Sequence, residues 1–251
     1  MRKTVLAATA ILAVIAIARA GGDPWKTKPF DQWTEKDIQA ILQFSPWAKS
    51  NVQAQGAWRP GGMTQASGSP GMAGSSSDTS HVSAGATPDR PTGMEKEESA
   101  AAAQAVYSVF WWSSRTIRAA SMRRAVLKGT MTEADAENTL ANSPDDYMVL
   151  VQGTSMLIFQ HRGEQAFEKA AYIQLKKTKE KMYPTKVAFL RGSDGQTVTG
   201  AVFYFSKKGA TGEPTIAPDE KEIDFYLQMG DAKIVTYFEP RKMVDSKGED
   251  L

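Results

Sequence analysis

The sequence predicts an α+β fold: an antiparallel β-sheet domain, sandwich-like or one curved sheet, with several short helices and a tethered N-terminal amphipathic helix. Three observations carry that expectation. Beyond residue 170 the apolar period is two, clearest where Ile223, Phe225, Leu227 and Met229 alternate with Glu222, Asp224 and Gln228; this is the mark of a half-buried antiparallel strand. The pairs Asp194-Gly195 and Gly230-Asp231 stand between adjacent strand patterns, and suit type I′ and II′ hairpins respectively. Further upstream, short helical patterns open on Thr or Ser caps.

Taken in order, residues 1–20 read as a signal peptide. Arg2 and Lys3 precede an apolar run from Thr4 to Ala18, and Ala18-Arg19-Ala20 is an A-x-A cleavage pattern before Gly21. The run is short for a bilayer span and no stop-transfer pattern follows. The expected location is therefore periplasmic or secreted, with no stable transmembrane span after cleavage. Cleavage removes three basic residues and no acids, so 30 cations become 27 against 28 acids and the net charge moves from +2 to −1. A near-neutral chain lacks the dense basic surface that general nucleic-acid binding needs. The chain has no cysteine, which removes disulfides, thiol nucleophiles and thiolate metal sites.

Residues 21–50 form the N-terminal helical segment. Thr34 is the N-cap, Asp37 the capping-box acid, and Trp33 with Ile38 has the spacing of a hydrophobic staple. Ile38, Ile41 and Leu42 share one face, and Pro46 ends the helix. Burying those three contributes about 4–8 kcal/mol before ordering costs, and ordering ten residues costs as much. Stable docking on the same chain therefore requires Trp33, Phe44 and Trp47 in the interface. The alternative is that Trp33, Ile38, Ile41, Leu42 and Trp47 present the helix to a partner.

Residues 51–94 read as a flexible linker. Eight Gly, four Pro and seven Ser make up 19 of the 43 positions from 51 to 93, a composition with a reach of about 35 Å. That reach is the expected means by which the helix docks far from where the chain resumes. The domain then runs over residues 95–251. It opens with a helical pattern at 95–105, the strand "VYSVFWW" (106–112), a helix capped by Ser113 or Ser114 and stopped at Gly129, and a shorter helix from Thr132 to Ser143-Pro144. "YMVLVQG" (147–153) is a strand, 164–170 a helix, and 171–177, 185–192, 196–206, 221–229 and 232–239 are strands.

The segment "KPFDQWTEKDIQAILQFSPWAK" resembles the start of a group of uncharacterised exported bacterial proteins, mostly acidobacterial. The likeness continues through Trp112-Ser113-Ser114, "YMVLVQG", "GSDGQTVTGAVFYF", "KEIDFYLQMG" and "RKMVDSKGEDL". The resemblance implies export and a shared fold, and brings no catalytic residues with it.

Chemistry is sparse. Gly153-Thr154-Ser155-Met156-Leu157 follows a strand, but Leu157 replaces the second Gly of a nucleophile elbow. A serine hydrolase would need Ser155 with His161 as base and Asp145 or Asp146 as orienter. His81 and His161 have no zinc spacing, and no cofactor motif is present. Arg115, Arg118, Arg123, Arg124 and Lys128 share one helix whose buried side is expected to be Ile117, Ala120 and Leu127; lysines 176–186 form a second cluster. Both basic clusters are expected to be solvated faces. Phe203, Tyr204, Phe205, Phe225, Tyr226, Tyr237 and Phe238 fall on both faces of their strands. One set is core, and the other is free to meet a sugar or a protein. The expected function is a non-catalytic binding or scaffolding protein of the cell envelope, its partner a protein, glycan or other envelope component.

Overall fold

A computed structural model describes residues 22–55, 104–230 and 232–251. The leader, most of the linker, and all but the end of the 95–105 helical pattern lie outside these residues. The chain runs α1 (Pro24–Thr27), α2 (Glu35–Phe44), β1 (Ala48–Gln53), β2 (Val106–Trp111), α3 (Arg115–Leu127), α4 (Glu133–Ala141), β3 (Asp146–Gly153), α5 (Leu157–Arg162) and α6 (Gln165–Glu168). It continues through β4 (Ala171–Leu175), β5 (Lys181–Met182), β6 (Lys186–Arg191), β7 (Val198–Ser206), β8 (Ile223–Met229), β9 (Ala232–Phe238), β10 (Val244–Asp245) and β11 (Gly248–Glu249). The fold is α+β.

Two antiparallel sheets, in strand order β1-β2-β3-β7-β6 and β5-β4-β8-β9, pack face to face, and the centre of the larger is buried on both sides, as the consecutive buried residues Val149, Leu150 and Val151 show. Their inner residues meet in ring contacts, Phe203 on Phe225 at 5.6 Å and Trp111 on Phe238 at 5.2 Å. Paired N–H···O bonds between Gln55 and Lys233, 2.7 and 2.9 Å, join the two sheets at one edge. Alternation decides which rings turn inward: Phe203, Phe205, Phe225 and Phe238 are fully buried, whereas Tyr204 and Tyr226 are half-buried and Tyr237 is exposed. A Cβ at Gly153 would lie 2.5 Å from the Tyr107 ring, so that strand end needs glycine to admit the buried tyrosine.

The capping box at α2 is formed. The Thr34 hydroxyl accepts from the Asp37 N–H while the Asp37 carboxylate accepts from the Thr34 N–H. Ile38 and Ile41 are fully buried against α3 and β1, and Trp33 and Trp47 are buried with them. Phe44 corrects the expectation: it is 78% exposed, because α2 ends there and its ring points away from both neighbours.

Three further expectations change. Residues 51–53 belong to β1, with Asn51 in the left-handed region (φ +58) beside a register shift. Since Gln53 pairs with Val106, the inserted sequence returns to where it left, and no long reach is needed to dock α2. The 164–170 helical pattern resolves into α6 alone, with α5 before it. At Asp194-Gly195 only the glycine has positive φ, whereas type I′ requires both; instead the Asp194 carboxylate accepts the amides of Gln196 and Thr197, both at 2.9 Å. At the other pair Met229 pairs with Ala232, and Gly230 has the positive φ (+61) that the first position of a II′ turn needs; Asp231 lies outside the described residues.

Candidate functional site

The N-terminal segment does more than cover the sheet edge. Between it, α3, α4 and the β10–β11 hairpin lies a cleft of about 430 Å³. Its walls are Trp25, Phe30, Trp33, Ala119 and Leu140, and its rim carries Lys28, Arg115, Glu137, Asp245 and Lys247. Each wall has an identifiable support. Trp33 is held by its indole N–H, which donates to the carbonyls of Lys28 (3.1 Å) and Pro24 (3.3 Å). Arg123 binds the Trp33 carbonyl at 3.1 Å, fastening the segment to α3. Trp25 stands edge-on to Trp47 with centroids 5.8 Å apart, and its own buried Nε1–H has no hydrogen-bond partner among the described residues.

The rim is ordered by the far end of the chain. Asp245 holds Arg115 through two 2.9 Å bonds, a pairing that keeps the guanidinium pKa above its ordinary value. The buried Asp250 carboxylate accepts the first two free amides of α3, Arg115 N at 2.6 Å and Thr116 N at 2.9 Å, and the Ser114 hydroxyl accepts the third from Ile117. The Asp250 carbonyl accepts the Trp47 indole N–H at 2.6 Å. The helix terminus is therefore satisfied by residues on both sides of it in sequence.

The four arginines of α3 are fasteners, not the solvated face that the sequence suggests; Lys128, just past the helix, is exposed as expected. Arg118 is buried and donates to the Asn142 carbonyl at 2.7 Å, Arg123 pairs with Glu133, and Arg124 pairs with Glu35 at 3.2 Å. On the same helix Ile117 and Ala120 are buried as expected, but Leu127 is about half exposed in the last turn. The second cluster is exposed, with Lys176 paired to Glu222 and Lys177 to Asp219.

The residues considered for hydrolysis are not brought together as a triad. Asp146 opens β3 and Ser155 follows its other end, about 25 Å away along the strand. His161 is exposed on α5. Trp33, Ile38, Ile41 and Trp47 are buried in the chain's own interior, and Leu42 is partly buried beside them. Sequence reasoning missed the Arg115–Asp245 rim and Leu140; the available signal was the aromatic set Trp25, Phe30 and Trp33, dense for so short a segment. Among the described residues no His, Asp or Glu side chains converge as a metal-binding group, and no helix is long and apolar enough to cross a membrane.

The class that fold and cleft define is a two-sheet α+β protein whose aromatic N-terminal segment closes a small apolar cavity. Comparisons with family models, curated proteins and solved structures give no match for this chain.

Proposed function

We propose that this chain is an exported, non-catalytic binding protein of the bacterial cell envelope, and that its ligand sits in the cleft walled by Trp25, Phe30, Trp33 and Leu140. The observation that carries the reading is the cleft itself. Its volume of about 430 Å³ is within the range of small-molecule sites, and it combines apolar walls with a few charged rim groups, as such sites do. Lys28 is paired with Asp37 and Arg115 with Asp245, which leaves Lys247 and Glu137 as the rim charges without a salt bridge among the described residues; the ligand we expect is a compact apolar body with an anionic end toward Lys247. Export rests on the leader pattern of residues 1–20.

Anilinonaphthalene sulfonate is a suitable probe, being aromatic and anionic. It is expected to bind the folded protein at one site and to be excluded by Ala119→Phe, which fills the cleft. Binding that is absent, or unchanged in Ala119→Phe with the melting temperature preserved, overturns the assignment. Fractionation of expressing cells tests export separately: the mature chain is expected outside the cytoplasm, beginning at Gly21.

A further inference from the structure

A second cavity, about 890 Å³, lies on the other side of Trp25, between α1, the end of α2, β1 and β9. Its charge is unbalanced. Lys26, Lys49, Arg241 and Lys242 face it, against Asp23 and Glu239. Both acids are already engaged, Asp23 with Lys26 at 2.9 Å and Glu239 with Lys242 at 2.8 Å. Arg241 makes no salt bridge among the described residues; it donates to the Asp219 carbonyl at 3.3 Å, and the Asp219 carboxylate, paired with Lys177, is the acid whose charge it feels. Lys49 has no carboxylate partner among the described residues. Its ammonium lies over the rings of Tyr237 (5.1 Å) and Phe238 (5.7 Å), and half-burial pushes its pKa down. A half-buried cation with no salt bridge among the described residues is only partly compensated by the nearby Glu239 charge, and an arriving anion supplies the rest.

Two buried polar atoms without hydrogen-bond partners among the described residues belong to residues of the same wall, Trp25 Nε1 and Ser45 Oγ. The rest of the lining is mixed: Gln43, Ser50 and Asn51 offer amide and hydroxyl groups beside the exposed Phe44 ring. Small polar donors around one open aromatic face suit a sugar, whose hydroxyls take hydrogen bonds while its C–H face lies on the ring. We propose that this groove is an acidic-saccharide site, in which a uronate carboxylate meets Lys49 and Arg241 and the sugar ring packs on Phe44. The site is separate from the aromatic cleft and stands or falls without it.

Calorimetric titration of the folded protein with trigalacturonate tests it. Binding is expected at low salt and is weakened strongly at about 0.5 M NaCl. Lys49→Gln is expected to weaken it by about tenfold or more, Lys49→Arg to retain most of it, and Phe44→Ala to reduce it severalfold. The neutral sugar maltotriose is expected not to compete. Lys186→Gln, over Tyr204 toward the opposite edge of the sheet that holds Lys49, serves as the unaffected control. Absence of binding overturns the proposal, as does equal affinity in wild type and Lys49→Gln. Inorganic phosphate binding that depends on Lys49, without any trigalacturonate binding, overturns the saccharide assignment. Because Lys49 rests on a buried ring, each variant's melting curve is recorded, and Arg241→Gln is expected to repeat the loss should Lys49→Gln unfold.

Discussion

Strands β1 and β2 are neighbours, and so are β8 and β9, yet their connections could hardly differ more. Residues 54–105 separate the first pair, whereas Gly230-Asp231 alone joins the second. Both pairs are antiparallel. The shorter connection dictates its pairing, because a two-residue loop permits only one register. The longer one dictates nothing, and register there comes from cross-strand and packing partners: Ala48 on Phe110, Trp47 beneath them, and the Trp111 amide on the Trp47 carbonyl at 2.8 Å. The β1–β2 pair is thus specified by its ends rather than its loop, and the ends are where it can be broken.

The largest effect is expected from Trp47→Ala. The side chain is fully buried, and its indole N–H is bonded to the Asp250 carbonyl. Truncation empties the space between β1, Trp25 and the C-terminal segment, at a cost of about 3–5 kcal/mol, readable as a lower denaturant midpoint. Asp250→Ala comes next. It leaves the buried amides of Arg115 and Thr116 without acceptors, costing about 1–3 kcal/mol. Measured in the same urea titrations, a loss well below that range would mean that α3 does not rely on the distant cap.

Replacing residues 57–103 by a short Gly/Ser loop sharpens the comparison in the opposite direction. It removes about three doublings of loop length and is expected to stabilise the protein by about 2 kcal/mol; a destabilised product would show that the insertion contributes contacts to the fold. The smallest effect concerns the hairpin that departs from its expected turn type. The Thr197 hydroxyl and the amides of Thr197 and Gln196 hold the Asp194 carboxyl at about 2, below its ordinary 3.8. A carboxyl depressed in the folded state contributes stability above its unfolded pKa, and that contribution is lost as pH falls through the folded value. The window is therefore pH 4 to 2. A carbon-detected titration should place the midpoint near 2 in wild type and higher in Thr197→Val.

This contrast also explains what the sequence makes legible. Local signals are legible: Thr34 and Ser114 cap their helices as their side chains suggest, and the period-two strands from Ala171 to Phe238 fall where alternation puts them. The strand β1, "AKSNVQ", has one large apolar residue and a bulge at Asn51, so no periodicity announces it. Without it the glycine-rich insertion reads as a tether. Alternation also separates the phenylalanines from the tyrosines, but which set is core depends on how two sheets stack, information held by no single strand. The aromatic cleft is hidden for the same reason. Its Arg115–Asp245 rim joins residues 130 positions apart.

Asp250 gives the fold a timetable as well as a cap. The Trp47 indole waits 203 residues for its acceptor. At about 5–20 residues per second of synthesis, that is an interval of roughly 10–40 s. Throughout it, the aromatic segment around Trp25 and Trp47 has no C-terminal hairpin to close against, and the first two amides of α3, once made, wait 135 and 134 residues for their carboxylate. Early segments of this chain thus remain open to other fates, such as a chaperone or a translocation channel, until the acidic tail arrives.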